Sequence, residues 1–131
     1  MEFKYKKIAP GILRPIIQVN LMHSTKSIQY EVLVDSGADI CIFDSVIGEL
    51  LGLNIVTGEE YFVAGVTGVP EKYYVHDITI DIGGYKYDIE AGFMKRPTDS
   101  YGIIGQKGFF EFFTVKFIYS KQKIEIKPIT E

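Results

Sequence analysis

Along most of the chain, apolar and polar positions alternate with a period of two, the spacing of strands that bury one face. In DITIDI, Ile78, Ile80 and Ile82 alternate with Thr79 and Asp81. After Gly83 and Gly84, Tyr85, Tyr87 and Ile89 alternate with Lys86 and Asp88. Two such runs about a Gly-Gly pair predict a hairpin with a two-residue turn. The same reading predicts strands over 12–21, 28–34, 40–43, 115–119 and 123–127, with turns around 24–26 and 120–122. Two short helices are expected: one capped by Asp44 and stopped by Gly52, the other over about 107–113. Many short strands and few helical turns predict an all-β chain folded as a small closed barrel or sandwich.

The 131 residues carry no linker, repeat or low-complexity stretch, so 1–131 reads as a single domain. A hydrophobic share of 47% with 24% charged residues excludes a disordered chain. The net charge is −3, and Lys4, Lys6 and Lys7 form too short a run to draw in nucleic acid or an anionic membrane. No apolar run approaches the roughly 20 residues of a membrane-spanning helix, and MEFKYKKIAP lacks the apolar stretch of a signal peptide, so a cytoplasmic location is expected. Cys41 stands alone in the apolar run ICIF and reads as core. His23 and His76 lie far apart in polar surroundings and are expected to be exposed. Without a phosphate-binding glycine pattern or a metal-ligand cluster, no cofactor or metal is expected.

The candidate chemistry lies in YEVLVDSGADICIF, where an apolar strand delivers Asp35 into a turn of Ser36, Gly37 and Ala38 and another apolar strand leaves it. A carboxylate beside a core costs several kcal/mol of desolvation, by a rough estimate, unless it is hydrogen-bonded, paired or used. Asp, Ser and Gly are also ordinary turn residues, the Asp side chain bonding the backbone two positions on. A second feature accompanies it: Tyr101 leads into GIIG, an apolar strand closing on Gly105 before QKGFFEFF.

Taken together, LVDSGAD, the glycine-containing VAGVTGVP and GIIG resemble the retropepsin family of aspartic proteases, over most of the chain from LRPIIQVN to KIEIKP. The resemblance implies a small closed barrel-like fold with a flap hairpin and one or two short helices. It makes Asp35 catalytic, with Ser36 bracing the paired loops and Gly37 shaping the turn. It also implies substrate contacts from Ala38 and Asp39, from the flap residues Ala64, Gly65, Val66, Thr67 and Gly68, and from Ile103 and Ile104. Such chemistry needs two carboxylates sharing a proton. One motif in 131 residues therefore implies a homodimer in which two copies of Asp35 activate the water. The peptide is expected to bind extended, like an added strand. Ala38 has no hydroxyl to bond the carboxylate, so activity is expected to reach from mildly acidic pH toward neutral.

Two departures from the family pattern stand out. Gln106 and Lys107 follow Gly105 where Arg and then Asp or Asn are usual, so the ion pair with Asp39 is missing or altered. Arg14 is placed to reach Asp39 across a dimer instead, which surface pairing would stabilise by about 1 kcal/mol or less. The competing readings are a non-catalytic dimerisation or peptide-binding module on the same fold, and an unrelated β-barrel that binds small ligands or nucleic acid. The last lacks a basic groove with stacking aromatics.

Overall fold

A computed structural model describes residues 1–64 and 68–130. Among the described residues its strands are β1 (Glu2–Lys4), β2 (Lys6–Ala9), β3 (Ile12–Arg14), β4 (Ile16–His23), β5 (Lys26–Val34), β6 (Ile42–Asp44), β7 (Glu59–Ala64), β8 (Pro70–Ile82), β9 (Tyr85–Met94), β10 (Gly102–Ile104), β11 (Phe113–Ile118) and β12 (Lys123–Pro128), with one α-helix, α1 (Ser45–Leu50), and single 3-10 turns at Ile55–Thr57 and Tyr119–Lys121. Seven strands form one sheet in the order β4-β5-β10-β6-β9-β8-β7, and a further pairing of β4 with β8 closes it into a ring. Closure leaves β7 outside as the outer arm of a hairpin with β8, the two paired from Glu59↔Val75 to Ala64↔Pro70.

Alternation decides what the ring encloses. Ile17, Val19 and Leu21 of β4, Val32 and Val34 of β5, and Ile78, Ile80 and Ile82 of β8 point inward and are buried. Phe43, Phe93, Ile104, Phe109, Ile124 and Ile126 fill the middle. The predicted Gly-Gly hairpin joins β8 to β9. Gly83 and Gly84 take φ of +60° and +95°, the pair of left-handed conformations that a tight turn between twisted strands needs. At α1, the Asp44 side chain accepts the Val46 amide at 3.1 Å. Gly52 then ends the helix at φ +86° while the amides of Gly52 and Leu53 bond the carbonyls of Glu49 and Gly48.

The structure corrects three expectations and adds two strands. The strand over 12–21 is split at Pro15, which has no N–H for a ladder. The helix over 107–113 does not form: Gly108 sits at φ +94° and the Glu111 carboxylate takes its amide at 2.8 Å, leaving successive turns. His23 and His76 are half-buried, with His76 Nε2 2.8 Å from the Ile55 carbonyl oxygen. β1 and β2, too short to show a period, add pairings that alternation does not predict: β1 pairs with β12, which also pairs with β11, and β2 pairs with β3.

Candidate active site

Asp35 stands one residue past the end of β5, and that strand is held on both edges as far as the acid. On one side Leu33 pairs with Ile16 of β4, and the Val34 amide donates to the Pro15 carbonyl at 2.9 Å. On the other, Leu33 and Val34 run parallel to Ile103 and Ile104 of β10, and the Asp35 amide continues that ladder to the Ile104 carbonyl at 3.0 Å. The backbone of the acid is therefore fixed by the barrel wall while its side chain is only half-buried.

The turn that follows is wound around the carboxylate. Asp35 Oδ1 accepts the Gly37 amide at 2.9 Å, and the Ala38 amide donates to the Asp35 carbonyl at 3.2 Å. A Cβ on Gly37 would stand 3.3 Å from that same Oδ1, so glycine leaves the carboxylate room. The loop is tied down from across the barrel. The Gln106 and Lys107 amides donate to the carbonyls of Ala38 and Asp39 at 2.8 and 3.0 Å, and Gln106 Nε2 donates to the Ser36 carbonyl at 2.6 Å. Gly105 is pressed beneath, where a Cβ would meet the Ala38 and Ile40 carbonyl oxygens. Cys41 closes the packing behind the loop; its Sγ lies 3.3 Å from the Lys107 carbonyl, and burial pushes the thiol up to about 11.

Of the sequence-derived candidates, Asp35, Ser36, Gly37, Ala38 and Asp39 thus form one continuous loop, with Ser36, Gly37 and Asp39 exposed. Ile103 is half-buried beside Leu33 and lines a pocket with it. Ile104 is completely buried in the core, so it serves through its carbonyl and not as a pocket wall. Ala64 and Gly68 flank the tip of the β7–β8 hairpin, Gly68 at φ +80° with open space around it; Gly65, Val66 and Thr67 lie outside the described residues. No ion pair joins Arg14 to Asp39 within the chain.

Two cavities are lined by residues that lie just before or just after this loop in sequence, Leu33 in one and Ile40 in the other. One, of about 470 Å³, runs from Ile40 and Lys107 to Tyr61 and Tyr73, which stack at 5.6 Å on the β7–β8 hairpin. The other, of about 250 Å³, lies over Leu33 and Ile103 and is walled by Arg14, Arg96, Ser100 and Tyr101. Tyr30 positions the last wall by donating to the Ser100 carbonyl at 3.3 Å, and burial raises this phenol above its ordinary range, keeping it a neutral donor. Sequence reasoning missed Tyr30 and Arg96. Nothing in the pattern marked Arg96 except its position at the exit of an apolar strand, before Pro97. Among the described residues, no three His, Cys, Asp or Glu side chains gather as a metal site would need, and no helix is long and apolar enough to cross a membrane.

No protein-family model matches the chain, and no curated protein matches it. Solved structures do. The chain is similar to a retropepsin-like aspartic protease from Rickettsia conorii, with a TM-score of 0.67 at 15% identity over 97% of this chain and 98% of that one. It is also similar to EIAV protease complexed with the inhibitor HBY-793, with a TM-score of 0.53 at 22% identity over 70% of this chain and 81% of that one. The ring sheet and its outer hairpin are therefore the retropepsin fold.

Proposed function

We propose that this chain, having the retropepsin fold, is one subunit of a homodimeric aspartic endopeptidase in which Asp35 of two copies face each other. The observation that carries the reading is the hold on Asp35: a fixed backbone at the end of paired strands, a half-exposed carboxylate, and a loop held by three bonds from Gln106 and Lys107. In this reading one carboxylate, ionised, takes a proton from water as the water oxygen bonds the scissile carbonyl carbon. The other, protonated, donates to the carbonyl oxygen. Collapse of the tetrahedral intermediate breaks the C–N bond as a proton passes to the leaving amine.

The substrate is an extended peptide lying between the Asp35 loop and the β7–β8 hairpin, with the flap residues 64–68 over it. In the proposed dimer, Arg14 of one copy pairs with Asp39 of the other, as the resemblance to the retropepsins implies. A single, unpaired, buried thiol suits a reducing compartment, and the cytoplasm is the proposed location.

One observation favours the competing reading of a non-catalytic binding module. β12 is already paired on both sides within the chain, by β1 and β11, so it has no free edge to offer a second copy. Peptide cleavage between pH 4 and 7 over a protein dilution series separates the two. A peptidase loses activity more steeply than concentration, is blocked by a hydroxyl-bearing transition-state mimic, and is silenced by Asp35→Asn with its fold intact. Inert, folded protein at every concentration would leave the module.

A further inference from the structure

We propose that the pocket over Leu33 and Ile103 takes a substrate side chain ending in a carboxylate, and that Arg96 is the residue that selects it. This rests on the peptidase reading and names its substrate class. Leu33 lies two residues before Asp35 and is the register partner of Ile103, so the pocket floor leads directly to the candidate catalytic acid. The floor is apolar. The walls bring two guanidinium groups, Arg14 and Arg96, and no acidic side chain lines the cavity. Arg96 Nε is buried from solvent and has no hydrogen-bond partner. Buried donors are nearly always partnered in folded proteins, so an unpartnered Nε leaves the Arg96 side chain uncommitted within the chain and able to turn toward an acceptor that arrives with a ligand.

The surroundings set the sign of that ligand. Tyr101, one wall, carries Lys6 Nζ 5.3 Å from its ring centroid, and Lys6 pairs with Glu31 at 2.8 Å; Asp44, which acts on Tyr30 as Arg96 does, makes no ion pair with Arg96 and does not line the cavity. The cavity, about 250 Å³, has room for a side chain whose methylenes lie on Leu33 and Ile103 while its end reaches a guanidinium. A glutamate has that shape, and a planar carboxylate matches the guanidinium fork. A carboxylate could also come from the partner subunit, since Arg14 is expected to face Asp39 of a second copy. The two sources part in the experiment.

The Asp35→Asn protein, which is not expected to turn over, is titrated calorimetrically with peptides identical except for Glu, Gln, Leu or Lys scanned along the sequence, alongside cleavage of the same peptides by the wild type. At one position Glu is expected to bind about tenfold tighter than Gln, the worth of one charged hydrogen bond. Adding Arg96→Met is expected to abolish that preference with melting temperature unchanged, and adding Arg96→Glu to turn it toward Lys. Equal binding of Glu and Gln peptides at every position, absence of peptide binding, or a preference that survives Arg96→Met would overturn the assignment. So would an Arg96→Met variant that weakens self-association in sedimentation while peptide preference stays, since the carboxylate would then be the partner's. An Arg96-dependent Glu preference in a wild type that cleaves nothing would sink the peptidase reading alone and leave the pocket assigned.

Discussion

The side-chain amide of Gln106 donates to the main-chain carbonyl of Ser36 at 2.6 Å, joining two loops seventy residues apart in sequence. Where the family pattern has an arginine that pairs with an acid, this chain has a neutral amide that bonds the backbone of the Asp35 loop itself. The exchange replaces an ion pair, whose strength falls with salt, by a neutral bond that salt hardly touches. The loop is further held by the main-chain bonds of Gln106 and Lys107, which no side-chain substitution removes.

Gln106→Leu is expected to cost about 1 kcal/mol of stability, the usual worth of one neutral hydrogen bond. Peptide turnover is expected to drop further than that, because the freed loop carries Asp35. Urea denaturation and steady-state cleavage of one peptide, run side by side on wild type and variant, compare the two effects. Equal stability and equal turnover would mean that the main-chain bonds suffice.

Gly37→Ala places a methyl 3.3 Å from Asp35 Oδ1, a contact relieved only by rotating the carboxylate or opening the turn. The turn is exposed, so folding is expected to change by no more than about 1 kcal/mol. The hydrogen bond that orients the carboxylate would be lost, and kcat should fall with KM little altered. A thermal melt together with Michaelis kinetics gives both quantities.

Gly105→Ala meets backbone instead of a movable side chain: its Cβ would fall on the Ala38 carbonyl oxygen and 2.7 Å from that of Ile40. Overpacking against fixed carbonyls is expected to cost about 3 kcal/mol, the upper end for such changes. The measurement is the denaturation midpoint, and a variant as stable as wild type would show that the Asp35 loop yields easily.

Cys41 is completely buried, and its thiol titrates at about 11, not 9.0, because burial disfavours the thiolate. At pH 8 only about one native thiol in a thousand is ionised, so alkylation should wait for unfolding. As pH rises past 9 the unfolded thiol ionises first while the native one keeps its proton, and native stability falls across that window. The stability advantage of wild type over Cys41→Ala is expected to shrink by about 1.3 kcal/mol between pH 8 and 10. Rapid labelling of folded protein at pH 8 would contradict the burial.

The site was legible where its parts are local. The Asp-Ser-Gly turn, the apolar run before it and the GIIG segment are each contiguous, and their pairing in space follows the parallel alignment of β5 with β10. The outer hairpin was legible for the same reason; residues 65–67 of the expected flap lie outside the described residues. Four features were not. The second helix was misread because QKGFFEFF has helical spacing, while Gly108 in a left-handed conformation, its amide taken by Glu111, breaks the turn. Ile104 looked like a wall residue beside Ile103, yet adjacent strand residues face opposite sides, and only the sheet says which side is core. The half-burial of His23 and His76, and the orphaned Nε of Arg96, depend on chain segments distant in sequence.

By itself the sequence determined the alternation, the turn chemistry and the cap at Asp44, because these depend on neighbours within a few residues: side-chain period, glycine at positive φ, an oxygen near a helix amide. The closure of the ring by β4 on β8, the intrachain seating of β12 between β1 and β11, and the gathering of Arg14, Arg96 and Tyr101 beside Leu33 were decided only in the folded molecule. Those contacts are chosen by which buried faces can be satisfied together, a condition on the whole chain that no single segment carries.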